Sequence, residues 1–232
     1  MKRFHRFHIY KTQKNESKNK QKTNQKTKLN GYQTKIGKLH QMTSIVEKQL
    51  RKQEENYNIR EYQKTIRTHL LTSRFNNHTK DENEKYRRKK WPNGCVYCSP
   101  DLINQKIPID AKIIVLEMNN ETNQIFGIGL LLNKPFFNKH SVYEDGNYNR
   151  YNYIGKYRIK REELTPKEEA VMKALDILCF TGNDHSKRGH GLKSFPTKLL
   201  MNCHKVFPIT EYIEMMFKTR FSENTTKTVK KI

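Results

Sequence analysis

The sequence predicts an α+β fold: a small β-barrel or curved antiparallel sheet, preceded by a long amphipathic helix and followed by further helices. Two apolar segments of strand length, residues 111–118 and 125–132, flank the turn sequence Asn-Asn-Glu-Thr-Asn and predict a β-hairpin. Residues 165–168, Thr-Pro-Lys-Glu, form a helix capping box with proline at the first helical position. Strands therefore precede helices in the second half of the chain.

Residues 44–75 predict the long amphipathic helix. No Gly or Pro interrupts the segment, and apolar side chains recur at roughly helical spacing, at Val46, Leu50, Tyr57, Ile66 and Leu70. Its other faces carry Lys and Arg side chains, which either track phosphates or form an ordinary solvated surface. A basic run over 85–90 follows and stops at a Trp-Pro pair, which favours a helix end.

The second hairpin strand contains Gly127 and Gly129, which predict a close backbone approach, a bulge or a barrel bend. Residues 148–164 are rich in Tyr and predict further strand.

The helix that starts with the capping box is expected to end at Gly182 and to bury Ala170, Val171, Ala174, Leu175 and Leu178. Shorter helices are expected over 197–206 and 210–221, the second burying Ile213, Met216 and Phe217.

Charge is distributed unevenly along the chain. The formal net charge is +23, and residues 1–90 hold 25 Lys and Arg against 8 Asp and Glu. Such a surplus attracts polyanions. Four segments are expected, namely a disordered basic arm over 1–43, an amphipathic basic helix over 44–90, an α+β domain over 91–221 and a frayed tail over 222–232.

Several classes of protein do not fit this composition. No stretch approaches the roughly 18 apolar residues of a membrane span, and the first ten residues lack the apolar core of a secretory signal. A mitochondrial presequence would be rich in Arg, Ser and Ala, whereas Lys and Asn dominate here. Four cysteines do not resemble a secreted disulfide framework. The expected location is intracellular, nuclear or cytoplasmic, or a virion.

The Cys-x-x-Cys sequence suggests half of a zinc site. Cys95 and Cys98 are spaced to bind one structural zinc ion, and His185 and His190 are the favoured partners. The alternative partners are Cys179, Cys203 and His204. Without a second Cys-x-x-Cys pair, unliganded loop and core thiols are the competing interpretation.

Three groups of residues are candidates for nucleic-acid contact. The basic run, a Tyr-rich strand that interleaves aromatic and cationic residues, and a Gly-rich loop over 181–191 all combine features that suit phosphates or bases. The candidates are Lys85, Arg87, Arg88, Lys89, Lys90, Arg150, Tyr151, Tyr153, Arg158, Lys187 and Arg188. The tyrosines are equally compatible with a place in the core, whereas Arg150 and Arg158 are expected to be exposed.

Residues 111–159 resemble the small β-barrels of the PUA-like group, which includes ASCH and EVE domains. The resemblance follows the order of features: the strand Lys-Ile-Ile-Val-Leu, a turn, a strand with Gly-x-Gly, and a Tyr-rich strand ending in Tyr-Arg-Ile. It implies recognition of RNA or a modified base in a pocket lined by aromatic residues. The composition also resembles lineage-specific proteins of large AT-rich DNA viruses.

The leading hypothesis is a non-enzymatic nucleic-acid-binding protein, in which the arm contacts phosphates and the domain supplies selectivity for RNA or DNA. The alternative is a structural component of a virion or ribonucleoprotein particle, with protein partners. A third hypothesis is a metal-dependent enzyme acting on nucleic acid, with His185 and His190 at the metal.

Overall fold

Five helices and seven strands lie in the part of the chain that the computed structural model describes, residues 37–136, 140–182 and 185–228. Side chains are described as far as Phe221. In chain order the elements are α1 (37–65), β1 (Thr68–Phe75), α2 (Asn77–Lys90), β2 (Cys95–Ser99), β3 (Lys112–Asn119), β4 (Gln124–Leu132), β5 (Tyr151–Gly155), β6 (Tyr157–Lys160), α3 (Pro166–Phe180), β7 (Leu192–Ser194), α4 (Thr197–His204) and α5 (Ile209–Thr228).

The chain divides into two units, Met1–Asn58 and Ile59–Ile232. In the first unit, residues 37–58 are helical, and almost all of their side chains are exposed. Most of the predicted basic arm, residues 1–36, lies outside the described residues. The second unit contains all seven strands.

The single helix predicted over 44–75 is wrong after residue 65. Thr68–Phe75 form β1, which pairs in parallel with β3 and antiparallel with β7. Leu70 and Leu71 are both buried, one in each of the two cores, because neighbouring side chains of a strand point to opposite faces. β1 and α2 therefore belong to the α+β unit, and the basic helix predicted over 44–90 does not exist as one element.

The main sheet has the strand order β6-β4-β3-β1-β7. The α+β class is confirmed, but the predicted barrel or curved antiparallel sheet is wrong. β1 and β3 run parallel while the other pairs are antiparallel, and the described strands form an open sheet with β6 and β7 at its edges. Closure is lost because β2 and β5 pair with each other in a separate two-stranded sheet.

β3 lies between two hydrophobic cores. Ile114, Leu116 and Met118 pack on the side of α3, α4 and α5, whereas Ile113 and Val115 pack on the side of β2 and β5. Side chains alternate between the faces of a strand, so a strand covered on both faces is apolar almost throughout. The predicted hairpin is confirmed, since β3 pairs antiparallel with β4.

One buried carboxylate interrupts this apolar strand. Glu117 accepts hydrogen bonds from Arg158 Nε at 2.9 and 3.0 Å and from the Tyr97 hydroxyl at 2.8 Å. Burial alone would raise the pKa of Glu117, but the charge and hydrogen bonds of Arg158 outweigh burial and lower it. Side chains at Gly127 and Gly129 would collide with these groups, so the predicted close approach is confirmed, together with a bulge after Glu117.

The capping box predicted at the start of α3 is confirmed. Thr165 N donates to Glu168 Oε2 at 2.8 Å, and Glu168 N donates back to the Thr165 hydroxyl at 3.4 Å. The predicted buried stripe is only partly right, because Ala170 and Ala174 are exposed. The buried side chains of α3 are instead Glu168, Met172, Leu175, Cys179 and Phe180.

The last two helices form as predicted, and α5 buries Ile213, Met216 and Phe217. α5 continues to Thr228, within the predicted tail, and residues 229–232 lie outside the described chain. No helix within the described ranges combines the length and the hydrophobicity of a membrane span.

Replacing Arg158 by Met is expected to lower the free energy of unfolding by about 3–5 kcal/mol, because the buried Glu117 carboxylate loses its partner. Urea unfolding followed by circular dichroism measures the change. The control is Lys156→Met at an exposed position before β6, expected to cost less than about 0.5 kcal/mol. Equal losses in the two variants would contradict a stabilising role for the pair.

The ion pair between α3 and α5 is expected to make stability depend on acid. Both oxygens of Glu168 accept from Arg220, at 2.7 and 2.6 Å, which lowers the pKa of Glu168 from 4.5 to about 2. A lowered folded pKa stabilises the protein above the ordinary pKa and loses that contribution as the pH falls through the folded pKa.

Glu168→Gln should therefore destabilise the protein at neutral pH and much less near pH 2, as urea unfolding at both pH values would show. The exposed carboxyl of Glu162 offers the control Glu162→Gln. If Glu168→Gln costs as much at the acidic pH as at the neutral one, the pair does not carry this acid dependence.

Candidate functional site

Helix α2 separates two concave surfaces. On one side lies a cavity of about 460 Å³, called the aromatic cavity below, and on the other a groove of about 420 Å³, called the basic groove. The helix begins with a capping box in which Thr79 N donates to Asn76 Oδ1 at 2.7 Å. Buried Asn83 holds it in place, donating to Val96 O at 2.8 Å and to the Tyr143 hydroxyl at 3.0 Å.

The aromatic cavity is assembled from six parts of the chain. The end of β1, the first turns of α2, one residue of β2, the segment 143–148 and the loop 189–191 contribute its walls, together with Asn120. Phe75, Cys98 and Tyr143 are buried residues of its lining, and the Tyr148 ring meets that of Tyr143 edge-on at 6.3 Å. Three aromatic rings, those of Phe75, Tyr143 and Tyr148, thus contribute to its lining.

Two buried polar atoms of the cavity-lining residues have no hydrogen-bond partner among the described residues. They are Nη1 of Arg74, a donor, and Oδ1 of Asn120, an acceptor. The remaining polar atoms of these side chains are occupied: Arg74 Nε donates to Ser186 O, and Asn120 Nδ2 donates to Lys187 O at 3.1 Å. Unpaired buried polar atoms are costly, so either side chain would gain a hydrogen bond by turning its unpaired atom toward a ligand in the cavity.

Acidic and imidazole groups lie at the α2 side of the cavity. His78 Nε2 is 3.7 Å from a carboxylate oxygen of Glu82 and 3.7 Å from one of Glu144. Among the described residues these three are the set whose ligand atoms are close enough to share a metal ion. His78 and Glu144 are exposed, and exposed acidic groups commonly cluster without a metal ion.

The Gly-rich loop predicted as a site contributes to this cavity. Gly189, His190 and Gly191 line it, while residues 183–184 lie outside the described chain. Gly191 has φ +63°, and a Cβ there would collide with the Ser99 side chain. A glycine is therefore required where this loop passes β2.

The basic groove is lined mainly by cations. α2 contributes Lys80, Glu84, Arg87 and Arg88, and the opposite wall consists of Pro92, Thr122, Gln124, Phe126, Arg158, Lys160, Arg161 and Glu162. Lys80 Nζ lies 5.4 Å from the centre of the Phe126 ring, within the range of a cation–π contact.

Sequence reasoning placed only some of the candidate nucleic-acid contacts correctly with respect to solvent. Exposed or half-buried candidates are Lys85, Arg88, Lys89, Lys90, Arg150, Tyr151, Lys187 and Arg188. Arg158, expected to be exposed, is buried against Glu117. Tyr153 belongs to the core, where its hydroxyl accepts from Ile103 N at 3.0 Å, and Arg87 is buried beside Asn83.

The predicted zinc ligands are not gathered at one point within the described chain. Cys95 and Cys98 lie in strand β2 and not in the expected loop, and burial raises the pKa of both thiols, that of Cys95 to about 12. Cys98 and His190 do line the same cavity.

The cavity residues that sequence reasoning missed are Arg74, Phe75, Asn120 and Tyr143. Arg74 and Phe75 were hidden by the wrong helix prediction over 44–75. Asn120 appeared only as turn material, and Tyr143 lies in a segment without a regular pattern. The Asp-Gly turn at 145–146 beside Tyr148 was the available signal for an ordered loop near this cavity.

No protein family model, no curated protein and no solved structure matches this chain. Its function therefore has to be argued from the aromatic cavity, the basic groove and the distribution of charge.

Proposed function

We propose that this chain is a nucleic-acid-binding protein that takes up one unstacked base in the aromatic cavity. The observation that carries the proposal is the cavity itself: about 460 Å³, lined by Phe75, Tyr143 and Tyr148, with an unpaired donor on Arg74 and an unpaired acceptor on Asn120. Cavities that bind small ligands commonly measure about 300–1,000 Å³ and combine apolar walls with a few polar groups.

A nucleobase can supply the hydrogen bonds that Arg74 and Asn120 do not make within the described chain. Single-stranded nucleic acids are recognised by stacking splayed bases on aromatic side chains and by hydrogen bonds to the base edges. A base edge that carries an acceptor beside a donor would complement Arg74 and Asn120. Every nucleobase, uracil and thymine included, presents such a pair on its Watson–Crick edge.

Charge favours a base in this cavity over a bare phosphate. The carboxylates of Glu82, Glu144 and Asp145 line the cavity and would repel an anion. The groups of the same lining that could attract one are the Arg74 guanidinium and the imidazoles of His78 and His190. The net charge of +23 nevertheless draws polyanions to the protein as a whole. Phosphates are therefore expected outside the cavity, on the basic arm and on the exposed lysines of α2.

A structural role in a particle is the second candidate, and one observation favours it. In the first unit the apolar side chains of Leu39, Met42, Val46 and Leu50 are 50–63 % exposed. Such a helical stripe suits burial against a protein partner. Copurification with protein that survives nuclease treatment would favour this role, whereas association abolished by nuclease treatment favours nucleic-acid binding.

Removing the Tyr148 ring is expected to weaken binding of single-stranded RNA or DNA by about 1–3 kcal/mol, the usual contribution of one stacked base. Fluorescence anisotropy with labelled oligonucleotides measures the affinity of Tyr148→Ala. Tyr148→Phe keeps the ring and should bind like the unaltered protein. If Tyr148→Ala binds with full affinity while remaining folded, no base occupies the cavity.

Deleting residues 1–43 is expected to make binding less dependent on salt. The deletion removes 12 Lys and Arg and one Glu, and keeps β1 and α2. For each phosphate that the shortened protein no longer neutralises, the slope of log affinity against log salt becomes shallower by about 0.7–0.9. Titrations at several salt concentrations give the slope; an unchanged slope would mean that the arm does not bind phosphates.

A further inference from the structure

We propose that the basic groove holds a phosphate group, bound above the buried guanidinium of Arg87. This inference deepens the proposed function and rests on it for one point, that the phosphate belongs to a polynucleotide. The site itself is argued from the charges around the groove, which the aromatic cavity does not share.

Two of the arginines that line the groove are buried. Arg87 is 5 % exposed and Arg158 is 7 % exposed. Arg158 is neutralised by Glu117, which it binds with two nitrogens. Arg87 forms no ion pair within the described chain; its Nε donates to Asn83 Oδ1 at 3.0 Å.

Arg87 therefore lacks a carboxylate partner of its own. Glu117 is occupied by Arg158 and by the Tyr97 hydroxyl, and it lies beyond ion-pair distance of Arg87. A buried charge without a counter-charge is strongly unfavourable. Arg87 lines the groove, so an anion bound there would supply the missing negative charge.

The other cations of the groove have carboxylate partners. Arg161 is neutralised by Glu169 and Asp176, each at 2.7 Å. Glu84 lies 3.5 Å from Lys80 and 3.4 Å from Arg88. Lys160 lies 4.0 Å from Glu162 and 3.8 Å from Glu163. Among the cations that line the groove, Arg87 alone is without an ion pair in the described chain.

The type of anion follows from the donors. They come from α2 on one side and from β6 on the other, across a groove of about 420 Å³, so a ligand must accept hydrogen bonds in several directions at once. A phosphate has oxygens on all sides, and arginine recognises it with paired N–H groups. A carboxylate offers two oxygens on one side only.

The test uses the full chain and inorganic pyrophosphate as the probe, with affinity measured by isothermal titration calorimetry. Arg88→Gln combined with Lys160→Gln removes two exposed cations from the groove and is expected to weaken binding at least about tenfold. The matched control, Lys106→Gln combined with Lys134→Gln, removes two exposed charges outside the groove and should change affinity less than about twofold. Arg87→Gln, checked for folding by circular dichroism, should abolish binding.

Equal losses in the groove variant and the control, or no binding of pyrophosphate to the unaltered protein, would overturn the site. Titrating the same variants with single-stranded RNA and DNA identifies the source of the phosphate. Weaker oligonucleotide binding by the groove variant supports a polynucleotide, whereas unchanged binding overturns that assignment and leaves a small phosphorylated molecule. Loss confined to Tyr148→Ala would affect the base proposal alone, so the two failures are distinguishable.

Discussion

The carboxylate of Glu117 lies at the centre of the main sheet, on β3, whose two faces are both covered by hydrophobic cores. Because water cannot solvate it there, it is stabilised by Arg158 from β6 and Tyr97 from β2. These bonds connect the two sheets. Gly127 and Gly129 leave room for these side chains. A Cβ at Gly127 would collide with Glu117 and Arg158, and one at Gly129 would collide with Tyr97. The interaction thereby determines how β2, β4 and β6 meet, and with them the surface on which α2 packs.

Helix α2 gives the two concave surfaces opposite chemical characters. Residues 78, 79 and 82 share one face of the helix and line the aromatic cavity, whereas residues 80, 84, 87 and 88 line the basic groove. Carboxylates and aromatic rings lie on the first side, and cations on the second. If the chain binds nucleic acid as proposed, a single short helix presents separate contacts for the base and for the phosphate.

Net charge alone overstates the binding surface. Of the basic candidates, Arg87 and Arg158 are buried, and Arg158 is neutralised within the protein. A buried arginine with a carboxylate partner supports the fold. One without an ion pair, such as Arg87, would be stabilised by an anionic ligand bound beside it. The distinction depends on which carboxylates the fold places nearby, so it does not follow from the number of Lys and Arg residues.

The sequence by itself determined the elements whose signals are local. The β3–β4 hairpin, the capping box of α3 and the buried residues of α5 follow from turn residues, N-cap chemistry and apolar spacing over a few positions. Tertiary structure decided the rest. Residues 68–75 are a strand because β3 and β7 pair with them, and Arg158 is buried because Glu117, 41 positions away, needs a counter-charge. The cavity depends on the same long-range pairing, because Arg74 and Phe75 meet Tyr143 only once β1 has joined the sheet.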